Sequence, residues 1–348
     1  MPAARRHGPT ASARSSSDVD VWTLSDLCTP WCVHVAATLR VAEHIQAGAE
    51  DIAPLAAACG AHADSLHRVL RHLVQKGLFV EPSPGRFALN EAARGLLESP
   101  VQLGLDLDGF GGRMAGAWSS LLSAVRTGAP AYHEVFGRPF WADLEAHPDI
   151  ASRFDALMGP AGHGTPDPDV LIDHDWDSVR HVVDVGGGTG ALLAEVLRAH
   201  PHVRGTLVDF PTTVARAAGT FESAGVADRV TTSGQSFFDP LPAGADLYLL
   251  KSVLGDWPDR EADRILRRCA EAARPNGRVV LLNGVSQDER GGPSPALLMM
   301  VLVGGKDRTL SEFRELARSA GLDVTTTARQ KSGRFLVECR PHASATLA

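Results

Sequence analysis

Residues 182–190 read Val-Val-Asp-Val-Gly-Gly-Gly-Thr-Gly, and the next apolar run, Gly205-Thr-Leu-Val-Asp209, ends in an acid. A short apolar run without polar alternation predicts a strand buried on both faces. The glycines predict a tight turn into a helix, and the second run predicts another buried strand with Asp209 at its carboxyl end. Strand, glycine turn, helix and strand make the opening unit of a doubly wound, mostly parallel α/β sheet. The same pattern binds a nucleoside: glycines let the backbone approach the ligand, and the acid holds ribose hydroxyls.

The run also fits a dinucleotide fingerprint, read as Gly186-x-Gly188-x-x-Ala191. Asp184, at the end of the first strand, weighs against that. Its carboxylate repels a pyrophosphate and attracts an ammonium. S-adenosylmethionine carries an ammonium and NAD does not, so S-adenosylmethionine is the expected cofactor. The competing expectation is that Asp184 only caps nearby backbone N–H groups.

At 348 residues the chain is long enough for a large core and two domains. A net charge of −7 gives no general attraction to nucleic acid or to an anionic membrane. No apolar run is long enough to span a bilayer. The first residues, rich in Ala, Arg, Ser and Pro, lack the apolar core of a secretory signal, and 1–19 reads as a disordered leader. Most of the five cysteines sit among apolar residues, as thiols of a reducing compartment do, and a cytoplasmic location follows. Cys28 and Cys32 are one helical turn apart, which is not a common zinc spacing; with His34 they read as packing residues, and no metal site is expected.

Residues 20–100 read as a winged-helix-like domain, with helices at 52–59 and 65–76 and a hairpin within 77–89 that turns at Ser83–Gly85. A DNA-binding regulator would use the second helix, which carries Arg68, Arg71, His72 and Lys76. The apolar residues around that helix and the acidic chain favour a dimerisation module. Residues 101–178 read as a helical linker and substrate-binding region, with helices at 118–125, 140–145 and 151–158 and a proline-rich loop at 159–169. Residues 179–342 read as the cofactor domain. Strands are expected at 181–185, 204–209, 229–232, 245–250 and 277–283, and helices at 190–200, 211–219, 259–273 and 310–320. A hairpin, 322–327 with 334–339, closes the sheet, an ending more typical of methyltransferases than of dehydrogenases.

From about Trp22 to the closing hairpin the chain resembles the S-adenosylmethionine-dependent O-methyltransferases that act on small aromatic natural products, plant phenylpropanoid and bacterial antibiotic-tailoring enzymes. The motifs are Val183-Asp-Val-Gly-Gly-Gly-Thr-Gly190, Leu207-Val-Asp-Phe-Pro211, Gly234-Gln-Ser-Phe-Phe-Asp239, Leu250-Lys-Ser-Val-Leu-Gly-Asp-Trp257, Arg274-Pro-Asn-Gly277 and Gly304-Gly-Lys-Asp-Arg-Thr309. The resemblance implies a homodimer through the N-terminal domain. It implies that Gly186 and Gly188 border the methionine moiety, Asp209 takes the ribose hydroxyls, Phe210 lies along the adenine and Phe237 stacks on it. Gly234 opens the motif in which Ser236 stands where relatives carry an Asp toward the adenine amino group. Lys251 and Arg153 are implied partners of the cofactor carboxylate.

Relatives that methylate unactivated phenols carry a His where this chain has Gly255, which has no group to take a proton. Asn283 and Asp307 stand where acids usually orient that His. Asp256 reads as a helix cap, Thr309 with Glu312 as a capping box, and Trp257 as core. Methyl transfer then falls to proximity and orientation, on an aromatic ring nitrogen or an oxygen already acidic near neutral pH. His163, in the loop 159–169, is the remaining candidate for a direct role. Trp118, Phe154, Met158, Met299 and Met300 are the expected acceptor lining, with Asn283 as a hydrogen-bonding group. Two other readings follow from the same residues. One is an S-adenosylmethionine-binding enzyme that no longer transfers methyl, acting as a hydroxylase, decarboxylase or pericyclase; the other is the DNA-binding regulator.

Overall fold

The computed structural model describes residues 20–287 and 295–342, so the expected leader lies outside the described residues. The chain divides into two compact units between Leu97 and Glu98. The helical region expected as a separate segment from 101 to 178 belongs to the same unit as the sheet.

In the first unit, helices Val21–Leu24, Cys28–Thr38, Val41–Gln46, Ile52–Ala58 and Ala63–Gln75 precede an antiparallel hairpin, β1 (Phe79–Ser83) with β2 (Arg86–Leu89). Leu66, Leu70 and Leu73 recur at helical spacing on Ala63–Gln75 and are fully buried with Leu55, Phe79 and Phe87. The basic residues of that helix are answered within the unit. Arg68 pairs with Asp64 at 2.8 Å, Lys76 with Asp26 at 3.3 Å, and Arg71 reaches Glu81 at 3.9 Å. At the start of the unit Val21, Trp22, Leu24 and Leu27 are each at least 74% exposed.

The second unit is built on a seven-stranded sheet: β3 (His181–Val185), β4 (Arg204–Asp209), β5 (Val230–Gly234), β6 (Leu247–Lys251), β7 (Arg278–Leu282), β10 (Leu322–Arg329) and β11 (Phe335–Pro341). A separate parallel pair joins β8 (Val285–Ser286) to β9 (Arg308–Thr309). The sheet order is β10-β11-β7-β6-β3-β4-β5, and β11 alone runs against the rest. Strand order reverses at β3, which opens a crevice beyond its carboxyl end. The strands carry apolar residues to both faces. Val183, Val185 and Leu281 meet helices Asp259–Ala272 and Leu310–Ser319 on one side. Val182, Leu207 and Leu247 meet helix Ala191–Ala199 on the other.

A third core explains the missing boundary near 178. Phe110, Tyr132, Phe140, Leu144 and Ile150 of the helical region close around Val301 and Leu302. These two come from a helix inserted late in the sheet domain, Pro295–Val303, which the sequence reading did not anticipate. Other differences are local. The helix expected at 211–219 is two, Pro211–Arg216 and Ala218–Ser223, and the loop 159–169 contains a short helix, Pro160–His163. Helices Ser99–Leu105, Phe110–Ala117 and Tyr132–Phe136 are additional. Among the described residues no helix is long and apolar enough to cross a membrane.

Candidate active site

The glycine turn stands at the carboxyl end of β3. Gly186 and Gly188 have φ of +69° and +60°, a region that side chains penalise and glycine does not. The Gly186 N–H donates to the Val208 carbonyl at 2.8 Å, tying the turn to β4. Asp209, at the end of β4, accepts from the N–H of Gly188 at 2.9 Å and of Phe210 at 2.7 Å. Burial raises its pKa above the ordinary carboxylate value, against those two bonds.

Asp184 is 1% exposed, and neither of its carboxylate oxygens has a hydrogen-bond partner among the described residues. The capping role is thereby removed. Burial pushes this carboxyl up to about 7; nearby Lys251 opposes the shift and Asp209 adds to it. An unanswered buried carboxylate is costly.

Beyond the strand ends lies a cleft. The expected residues Asp184, Gly186, Gly188, Asp209, Phe210, Phe237 and Lys251 line it, as do Phe154, Met158 and His163. One wall is aromatic: Trp141 and Trp257 stack with ring centroids 6.1 Å apart, and Phe154 and Phe237 meet them edge-on. The other character is cationic. Lys251 ends β6, its pKa lowered by burial and then by Arg334, with Asp184 opposing. Arg216 also lines the cleft and is paired with Asp155 at 2.6 Å. Burial, then Lys251 and Arg334, lower the His163 pKa.

Other expected residues lie elsewhere. Arg153 points outward into an ion pair with Asp106 and does not line the cleft. Gly234 backs onto Pro211, and the Ser236 hydroxyl accepts from the Phe238 N–H at 3.2 Å. Trp118 is 43% exposed in a 3₁₀ turn, while Met299 and Met300 pack in the third core. Asn283 sits one layer behind the cleft, donating to the hydroxyl of Ser252, which does line it. At Gly255 a Cβ would meet Gly284 Cα at 3.6 Å and Asp307 Oδ1 at 3.9 Å, so the position has room for a Cβ.

Trp141, Arg216, Asp256 and Arg334 line the cleft and were not anticipated as site residues. The helix that follows Pro258 has no side-chain cap, so the capping role assigned to Asp256 is corrected. Trp257, expected as core, packs against the core and lines the cleft as well. In the first unit the neighbour of Cys28 and Cys32 is His72 rather than His34. The ligand atoms of the three lie within 4.8 Å of one another, with the sulfurs 3.8 Å apart.

An O-methyltransferase domain family matches residues 118–323, and an O-methyltransferase dimerisation domain family matches 22–99. The 2,7-dihydroxy-5-methyl-1-naphthoate 7-O-methyltransferase of Streptomyces carzinostaticus is 43% identical over 315 residues, covering 89% of this chain and 94% of that protein. The aclacinomycin 10-hydroxylase RdmB of Streptomyces purpurascens is 41% identical, covering 89% of this chain and 85% of that protein. Among solved structures, the O-methyltransferase NcsB1 from neocarzinostatin biosynthesis, in complex with S-adenosylmethionine and 2-hydroxy-5-methyl naphthoic acid, superposes with a TM-score of 0.87. It is 41% identical, with 94% of this chain and all of that chain covered.

Proposed function

The chain belongs to the O-methyltransferase family, and from that membership we propose that it methylates a small aromatic acceptor by proximity and orientation, without an imidazole base. The observation that carries this reading is the unanswered Asp184 carboxylate beside the Gly186–Gly188 turn. It suits the ammonium of S-adenosylmethionine, the cofactor of the family. Asp209 would hold the ribose hydroxyls, Phe210 and Phe237 the adenine, and Lys251 with Arg334 the cofactor carboxylate. When bound, the cofactor supplies a methyl group made electrophilic by its sulfonium.

What this chain supplies is placement. The Trp141–Trp257 wall with Phe154 and Met158 suits a flat, polarisable ring. Orientation alone is worth roughly 7–11 kcal/mol in favourable cases, against about 10²–10⁴-fold from a general base. Gly255 therefore restricts the acceptor more than it disables the chain: a ring nitrogen or an acidic hydroxyl suits it, and an unactivated phenol does not. The exposed Trp22, Leu24 and Leu27, inside the segment that matches a dimerisation domain, support a homodimer. The free thiols of all five cysteines are compatible with the cytoplasm.

Calorimetry tests the reading. S-adenosylhomocysteine should bind and NADH should not; the reverse would overturn it. Methylated product and S-adenosylhomocysteine should then accumulate one for one. Product formed without that stoichiometry would turn the assignment toward a hydroxylase or another non-methylating activity.

A further inference from the structure

We propose that Asp256 accepts the hydroxyl proton of the aromatic acceptor, filling the role of the imidazole that Gly255 cannot provide; this rests on the methyl-transfer reading above. Asp256 lines the cleft next to Trp257. Among the described residues its carboxylate makes no hydrogen bond and no ion pair, and the helix Asp259–Ala272 takes no cap from it. An acid with neither structural duty nor partner, facing a cleft with an aromatic wall, is available to a ligand.

The turn that carries it is held from behind. The guanidinium of Arg308, itself 1% exposed, donates to the Leu254 carbonyl at 3.0 Å and the Trp257 carbonyl at 2.8 Å. Its third arm reaches Asp259 at 2.9 Å. These bonds bracket residues 255 and 256. Gly305 presses on the same peptide: a Cβ there would come within 2.8 Å of the Asp256 Cα. A backbone fixed in this way keeps the Cα of Asp256 in place at the cleft while the acceptor enters.

The chemistry agrees with the geometry. Burial alone pushes the Asp256 carboxyl up to about 7, with no neighbouring charge contributing. A base titrating near neutrality is matched to an acidic aromatic hydroxyl better than an ordinary carboxylate. The acceptor O–H bond breaks, an O–H bond forms on Asp256, and the electron pair stays on the acceptor oxygen. Asp256 returns its proton to water once product leaves. His163 is a weaker choice, because burial, and then Lys251 and Arg334, depress its basicity.

The test uses the full chain, S-adenosylmethionine and ring-substituted 2-naphthols of graded hydroxyl acidity. Asp256→Asn should lower kcat roughly 10²–10³-fold on the least acidic naphthol and only a few-fold on the most acidic, with KM changed little. Asp256→Glu should restore part of the loss. Binding of S-adenosylhomocysteine by calorimetry should stay within about two-fold in both variants, which shows that the fold and cofactor site are intact. A loss independent of acceptor acidity, no loss at all, or abolished S-adenosylhomocysteine binding would overturn the assignment. An unaltered chain that binds S-adenosylhomocysteine yet methylates none of the series defeats the methyl-transfer reading and this inference with it. A flat Asp256→Asn series beside an active unaltered chain defeats this inference alone.

Discussion

Asp184 and Gly255 show how differently two single positions speak through sequence. Asp184 was legible because it precedes a glycine turn, where a carboxylate has few reasons to be. Gly255 was legible only as a missing imidazole, and the room around its Cα shows that backbone geometry does not demand a glycine there. Gly255→His is therefore expected to fold, and the unaltered chain to turn over without it. Activity seen only in the variant would sink the reading without an imidazole. Asp184 also sets a pH dependence. Its folded pKa, about 7, lies above the unfolded value, so the folded form holds the extra proton between roughly pH 4 and 7. This group's contribution to stability therefore falls as pH rises through that window, and Asp256 adds a slope of the same sign. On the proposed pairing of its ammonium with the ionised carboxylate, S-adenosylhomocysteine should bind more tightly at pH 8 than at pH 6. Thermal melts across that range should show its stabilising effect growing with pH; an effect that shrinks would contradict the Asp184–ammonium pairing.

Among the elements, strands with a simple job were read to the residue. β3 and β4 match the expected 181–185 and 204–209, because an apolar run ended by glycine or an acid has one sensible conformation. Helix Pro295–Val303 was missed for the opposite reason: Pro-Ala-Leu-Leu-Met-Met-Val-Leu-Val is apolar throughout and carries no helical period. Met299 and Met300 were consequently assigned to an acceptor pocket when they serve packing. Asp256 and Trp141 were missed because their positions depend on contacts distant in sequence: Arg308, which joins β9 to the turn Leu254–Asp256, and the stacking of Trp141 on Trp257. Replacing that clamp should be costly. Arg308→Met takes the guanidinium donor from the Trp257 carbonyl and leaves the Leu254 carbonyl only the Trp257 N–H at 3.3 Å, and a loss of about 2–4 kcal/mol in urea denaturation is expected. A loss below about 0.5 kcal/mol would show that the turn does not depend on it.

At the scale of the whole molecule, the chain divides between Leu97 and Glu98, three residues before the end of the expected segment 20–100. The fusion of the middle helices with the sheet was not anticipated, since it runs through the unforeseen helix. Trp22→Glu with Leu27→Glu should shift sedimentation velocity from dimer to monomer, because each places a charge on an exposed apolar stretch of the dimerisation segment. An unchanged dimer would move the interface elsewhere. The stacked indoles of Trp141 and Trp257 have a practical corollary. Two of the six tryptophans stand where the acceptor is expected, so an arriving ring should quench their emission. The chain thus carries its own optical gauge, and candidate acceptors can be ranked by fluorescence titration before any turnover is measured.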